Sequence, residues 1–119
     1  MDLLSAIRAR DREVLAALVA DDVVFYSPTT EYRGREQVVE LLALIGAVLE
    51  DVTTTREVET VKFIKGRSEG DELDGVLVEV KDDDGRITEI TLLMRPLAAL
   101  QRSVVRMARA LAEGPTPDE

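Results

Sequence analysis

The stretch "DDVVFYSP", residues 21–28, decides how the rest of the chain is read. Val23, Val24, Phe25 and Tyr26 are β-branched or aromatic and favour a strand. Pro28 has no amide to give to a continuing ladder, so the strand is short and stops there. The following "SPTTEYRG", residues 27–34, is turn chemistry with a polar, partly aromatic rim. On the N-terminal side, Leu3, Leu4 and Ile7 fall on one face of a short helix. Asp11 restarts the chain as an N-cap, and Val14, Leu15, Leu18 and Val19 form the next apolar stripe. Two short helices therefore lead into one short strand.

On the C-terminal side, residues 35 to about 49 read as a longer helix. Val38, Leu41, Leu42, Ile45, Val48 and Leu49 keep one face, and Ala43, Leu44 and Ala47 widen the apolar arc. A helix of that kind is buried on more than one side and belongs across a sheet. Three strand-like segments follow, at about 53–64, 73–81 and 86–95, with "KGRSEGDE" as a turn between the first two. The second connection is a three-residue loop, Asp83, Asp84 and Gly85, with Gly85 in the left-handed region. That loop puts Val76, Val78 and Val80 on one face with Leu92, Ile90 and Thr88. Gly75, Leu77 and Glu79 then share the other face with Leu93, Thr91 and Glu89. Pro96 ends the strand. Leu97, Leu100, Val104, Met107, Ala108 and Leu111 stripe a final amphipathic helix that Gly114 closes.

Composition sets the bounds. With 119 residues, 45% hydrophobic and 33% charged, the chain is globular and forms one domain. The domain spans 1–113, and the tail 114–119, "GPTPDE", is expected to be disordered. No apolar run reaches the roughly 18 residues that span a bilayer, and "MDLLSAIRAR" lacks the pattern of a secretory leader. A cytoplasmic location is expected. There is no Cys and no His, which excludes thiolate nucleophiles, His-based triads and zinc sites built on those residues. No cofactor is expected. The net charge of −9 repels phosphate backbones and anionic membrane surfaces, so neither nucleic acid nor membrane is an expected partner.

The order of helix, helix, strand ending at a proline, long helix and antiparallel meander resembles the nuclear-transport-factor-2-like superfamily, in its SnoaL-like branch. "DDVVFYSP", "YRGREQVVELL" and "DGRITEITLLMRPL" carry the likeness, over about residues 1–100. The resemblance implies an α+β fold, with a curved, cone-shaped antiparallel sheet wrapped around the long helix. It also implies an apolar cavity and a homodimer, but no single activity: the superfamily holds isomerases, dehydratases, cyclases, epoxide hydrolases and members without chemistry.

Ser27 aligns with the general-base Asp of the ketosteroid isomerase family, and a Ser hydroxyl is far too weak a base. The family's helix Tyr corresponds to Leu3 or Leu4, and its protonated acid to Val76 or Leu77. All three catalytic positions are vacant, so no catalytic residue and no metal ligand is assigned. Ser27 is expected to point into the cone beside Phe25, with Val76, Val78, Ile90, Leu92 and Met94 as apolar walls and Tyr32 at the mouth. Those residues are the ligand-binding candidates, for a small apolar molecule. Tyr26, opposite Ser27 by alternation, packs outside. "DDDG", 82–85, is a solvated turn rather than a calcium loop. Arg102, Arg106 and Arg109 read as a solvated helix face, and Glu69, Asp71, Glu72 and Asp74 as an exposed acidic loop. Glu79 and Glu89 sit opposite each other, facing away from the cone, with the neutralising cation expected from Lys62, Arg56 or a residue across a dimer interface. The mixed face of Gly75, Leu77, Thr91 and Leu93 is expected to join two copies into a dimer. The leading reading is a non-catalytic, dimerising binding domain. An isomerase, cyclase or epoxide hydrolase of the same fold and a pure interaction module stand as alternatives.

Overall fold

The computed structural model describes residues 1–113; the expected tail lies outside them. Two short helices, α1 (Leu3–Ala9) and α2 (Arg12–Leu18), precede β1 (Val19–Tyr26). The Asp11 carboxylate caps α2 by accepting from the Val14 amide at 3.1 Å. A three-residue strand, β2 (Glu31–Arg33), leads into the long helix α3 (Arg35–Val48). Then come β3 (Glu50–Val58), β4 (Val61–Ser68), β5 (Asp71–Lys81), β6 (Ile87–Arg95) and the last helix α4 (Leu97–Glu113).

The strands form one six-stranded sheet in the order β2-β1-β6-β5-β4-β3. β1 runs parallel to β6, and the other neighbours are antiparallel, so the sheet is mixed. Helix α3 packs against it and buries Val38, Val39, Leu41, Leu42, Ala43 and Ile45. Burial on that many positions matches the wide apolar arc in its sequence. Leu42 and Ile45 meet Phe25 and Leu92 in the core.

Three expectations about the strands need correction. The segment read as one strand at 53–64 is a hairpin, because Val58 pairs with Val61 across Glu59 and Thr60. Glu59 takes the positive φ of 54° that the turn requires, without any Gly, Asn or Pro to announce it. In consequence "KGRS" is strand, and the next turn is only Glu69 and Gly70, both at positive φ. "EYR", read as loop, pairs with β1 as an edge strand.

The Asp83–Gly85 loop forms as expected: the Asp82 amide donates to the Arg86 carbonyl at 2.9 Å, and Gly85 has φ 82°. Directly beyond it, however, Lys81 pairs with Ile87 while Val80 pairs with Glu89. Thr88 is the extra residue of a bulge, its hydroxyl donating to the Val80 carbonyl at 3.2 Å. A shift of one residue reverses the faces of β5 relative to β6. Leu77 pairs with Leu92 and both are buried, whereas Val76 and Val78 pair with Leu93 and Thr91 on the outer face.

Candidate functional site

Between the sheet, α3 and α4 lies a cavity of about 130 Å³. β1 brings Phe25 to it, and Ser27, two residues on and just past the end of β1, also lines it. β2 brings Tyr32, which pairs with Phe25 across the strands, their ring centroids 6.3 Å apart. β5 and β6 add Leu73, Leu92 and Met94, and α3 adds Leu41, Ile45 and Leu49. The remaining wall is α4, through Leu100, Ser103, Val104, Met107, Ala108 and Leu111.

Of the expected binding residues, Phe25, Ser27, Tyr32, Leu92 and Met94 therefore meet at the cavity. Ile90 is fully buried on the same sheet face but lies outside the lining. Val76 and Val78 are not walls of it, because the Thr88 bulge turns them outward. Leu73 and α4 are further walls that strand alternation in β1 and β6 does not point to. The signal was present in the α4 stripe, where Ser103 interrupts Leu100, Val104 and Met107 and is nevertheless buried.

The polar side chains that line the cavity are hydroxyl-bearing: Ser27, Thr29, Tyr32 and Ser103. Ser27 Oγ donates to the Thr30 carbonyl at 2.7 Å and accepts from the amides of Thr30 and Thr29 at 3.0 and 3.3 Å. A hydroxyl has one proton and two lone pairs, so Ser27 is fully occupied by its own turn. Ser103 Oγ donates to the Leu100 carbonyl at 2.8 Å. Tyr32 supplies a half-buried phenol. Among the described lining residues there is no Asp, Glu, Lys or Arg.

Carboxylates do reach the inner sheet face, but elsewhere. Glu79 pairs with Ile90 rather than with Glu89, and faces inward. It lies six residues beyond Leu73 along β5, roughly 20 Å at about 3.3 Å per residue. There it meets Lys62 at 3.7 Å, and Lys62 also meets Asp2 at 3.6 Å. Lys62 was one of the two cations expected near Glu79. The other, Arg56, lies instead over the Phe63 ring at 5.2 Å. Glu89 is exposed on the outer face opposite Val80.

Two of the three arginines on the basic face of α4 find partners, and Arg109 is exposed. Arg102 makes a two-point contact with Asp71, at 2.7 and 2.9 Å. Arg106 donates to the carbonyl and hydroxyl of Ser68, at 3.1 and 2.6 Å, and pairs with Glu69 at 2.6 Å. Asp71 and Glu69 of the acidic stretch thus hold Arg102 and Arg106 of the helix, while Glu72, Asp74 and Arg109 are exposed as expected. The hydrogen bond from Arg102 holds the Asp71 carboxyl below the ordinary Asp value. With the folded-state pKa depressed, the pair's stabilisation is present above the ordinary Asp range and is lost as pH falls through the depressed value.

The SnoaL-like domain model matches residues 2–90. The chain belongs to the SnoaL-like family. A steroid delta-isomerase from Pseudomonas aeruginosa superposes on this SnoaL-like chain with a TM-score of 0.85 at 31% identity, over 92% of this chain and 86% of that one. An uncharacterised bacterial protein with a cystatin-like fold, from Silicibacter pomeroyi, superposes with a TM-score of 0.83 at 22% identity, covering 88% and 79% of the two chains. A computationally designed 17-OHP binder superposes with a TM-score of 0.63 at 23% identity, covering 82% and 90%. No match is found among curated proteins.

Proposed function

We propose that this SnoaL-like protein binds a small, uncharged, apolar molecule in the cavity, performs no proton transfer there, and works as a homodimer. The lining carries the first two statements: it is apolar, and the polar side chains on it bear hydroxyls, without a carboxylate among them. Abstraction of a proton next to a carbonyl needs a base, and the resulting oxyanion needs donors aimed at it. The likeness to a protein named as a steroid delta-isomerase supports a pocket for an apolar ring. Ser27, at the aligned base position, is spent on the turn. Of the two residues aligned with the family's acid, Leu77 faces inward, and it is a hydrocarbon.

Size narrows the ligand. A cavity of about 130 Å³ is close to the roughly 150 Å³ that holds benzene in an engineered core, and well below the roughly 300–1,000 Å³ of common ligand pockets. A single ring fits. The Tyr32 phenol, half-buried against Phe25, is the polar contact this reading assigns, with the Thr29 hydroxyl at the rim. In a titration followed by the methyl resonances of Leu92, Met94 and Met107, toluene and phenol are expected to bind and to leave Val76 and Val78 unmoved. Tyr32→Phe is expected to weaken phenol about 2- to 10-fold, equivalent to one hydrogen bond, and to leave toluene unchanged. A β,γ-unsaturated ketosteroid is expected not to be isomerised. Turnover of that steroid, abolished by Ser27→Ala, would refute the reading.

The dimer rests on the outer sheet face. Leu93 there is 51% exposed, and Tyr26, Phe63, Val58 and Val80 are exposed beside it, around half-buried Val76 and Val78. Patches of this kind on soluble proteins mark association surfaces. Of the four residues expected to join the copies, Thr91 and Leu93 lie on this face; Gly75 and Leu77 lie on the inner one. Light scattering at micromolar concentration is expected to give twice the chain mass, and Leu93→Asp to give a folded monomer. A wild-type monomer would overturn the dimer.

A further inference from the structure

We infer that α4 is a latched wall, whose attachment to the β4–β5 turn sets the size of molecule the cavity admits; this rests on the binding reading above. Three observations converge. The helix supplies one whole side of the cavity, so its position determines the volume. Its own burial is slight: of its 17 residues only Ala99 and Ser103 are buried, and Leu97, Val105 and Leu111 are exposed. Elements with few buried apolar side chains are the ones that open below the global unfolding free energy. Among the described residues, every side-chain hydrogen bond or ion pair from α4 to another element ends on Ser68, Glu69 or Asp71.

The polar latch is thus concentrated in two arginines and one tight turn, set by Glu69 and Gly70 at positive φ. The Arg106 and Asp71 side chains are roughly four-fifths buried, at 21% and 23% exposure, so the pair is partly shielded from solvent. Latched, the wall leaves space for one ring. Released, it swings away from Leu92, Met94 and Ile45, and the same apolar surface accepts a multi-ring, uncharged molecule. Asp71 and Arg102 are specificity-determining residues that never touch the ligand.

The test uses two neutral probes, toluene and the three-ring N-phenyl-1-naphthylamine, with wild type, Asp71→Asn and the Arg102→Gln, Arg106→Gln double variant. Both variants are expected to bind the large probe about tenfold or more tightly than wild type, and toluene within about twofold, a tenfold change being about 1.4 kcal/mol. Arg102→Lys, which keeps a cation opposite Asp71, is expected to hold the large probe near wild-type affinity. Equal affinity for the large probe in all four proteins overturns the latch. Amide exchange of α4 separates this from the binding reading. If toluene does not bind wild type, the binding reading fails, while about tenfold faster exchange of α4 in Asp71→Asn still supports the latch. Unchanged exchange refutes the latch, whatever the probes do.

Discussion

Phe25→Ala is expected to lower the unfolding free energy by about 3–5 kcal/mol. The ring is fully buried and touches two voids at once: the cavity of about 130 Å³ and a smaller one of about 20 Å³ against Leu4, Val52 and Leu77. Removing it takes away the stack on Tyr32 and the packing on Leu92, and joins the two spaces. The surrounding groups cannot collapse far, because Leu42, Ile45 and Leu77 are held by α3 and β5. Urea denaturation measures the loss. Toluene at about 100 times its dissociation constant should restore about 2.7 kcal/mol, by binding the folded state alone. A loss below about 1 kcal/mol would show that Phe25 is not the partition between the two voids.

The fold was legible where hydrophobic period and breaker residues agree. The helices α1, α2 and α3 and the end of β1 at Pro28 follow from apolar stripes, an Asp cap and a proline. Two strand features were hidden because the residues that make them are ordinary. Glu59 occupies a turn position that Gly or Asn would have advertised, and Thr88 makes a bulge without a glycine. The bulge matters most for the site. The loop residues 83–85 were placed correctly, yet a single extra residue after them moved Val76 and Val78 from the expected cavity wall to the outer face. Local turn chemistry determines the loop, but the register beyond it is decided by which side chains the core can bury. Leu73 and Leu77 outbid Val76 and Val78 for that place.

The site was half legible for a related reason. Phe25, Leu92 and Met94 follow from alternation along β1 and β6, Ser27 from its place just before Pro28, and Tyr32 from the loop expected at the mouth. The wall supplied by α4 is a tertiary relation. Its amphipathic stripe was visible, but the surface that it covers depends on where Arg102 and Arg106 find their partners. Those partners, Ser68, Glu69 and Asp71, lie more than thirty positions away in the chain. Charges counted along a sequence read as solvated until the fold brings the opposite sign beside them.

Gly46→Ala is expected to destabilise the protein by about 2 kcal/mol or more, against the direction that helix propensity alone dictates. An interior helical glycine replaced by alanine gains roughly 1 kcal/mol in an isolated helix. In α3 the new Cβ would lie 1.9 Å from the carbonyl oxygen of Ile7 and 3.1 Å from Arg10 Cγ. The first of those atoms is backbone, so α1 as a whole has to retreat. That helix buries Leu3, Leu4, Ala6 and Ile7, and forcing it outward opens space along all four. Overpacking of a fixed contact costs about 1–3 kcal/mol or more, and here the strain also removes apolar burial. Denaturant midpoints for Gly46→Ala and for Ala47→Gly, an exposed neighbour on the same helix, separate the two effects. Ala47→Gly should lose about 1 kcal/mol through propensity alone. If Gly46→Ala instead stabilises by a similar amount, α1 does not rest on α3 at Gly46, and the close approach of these two helices is refuted.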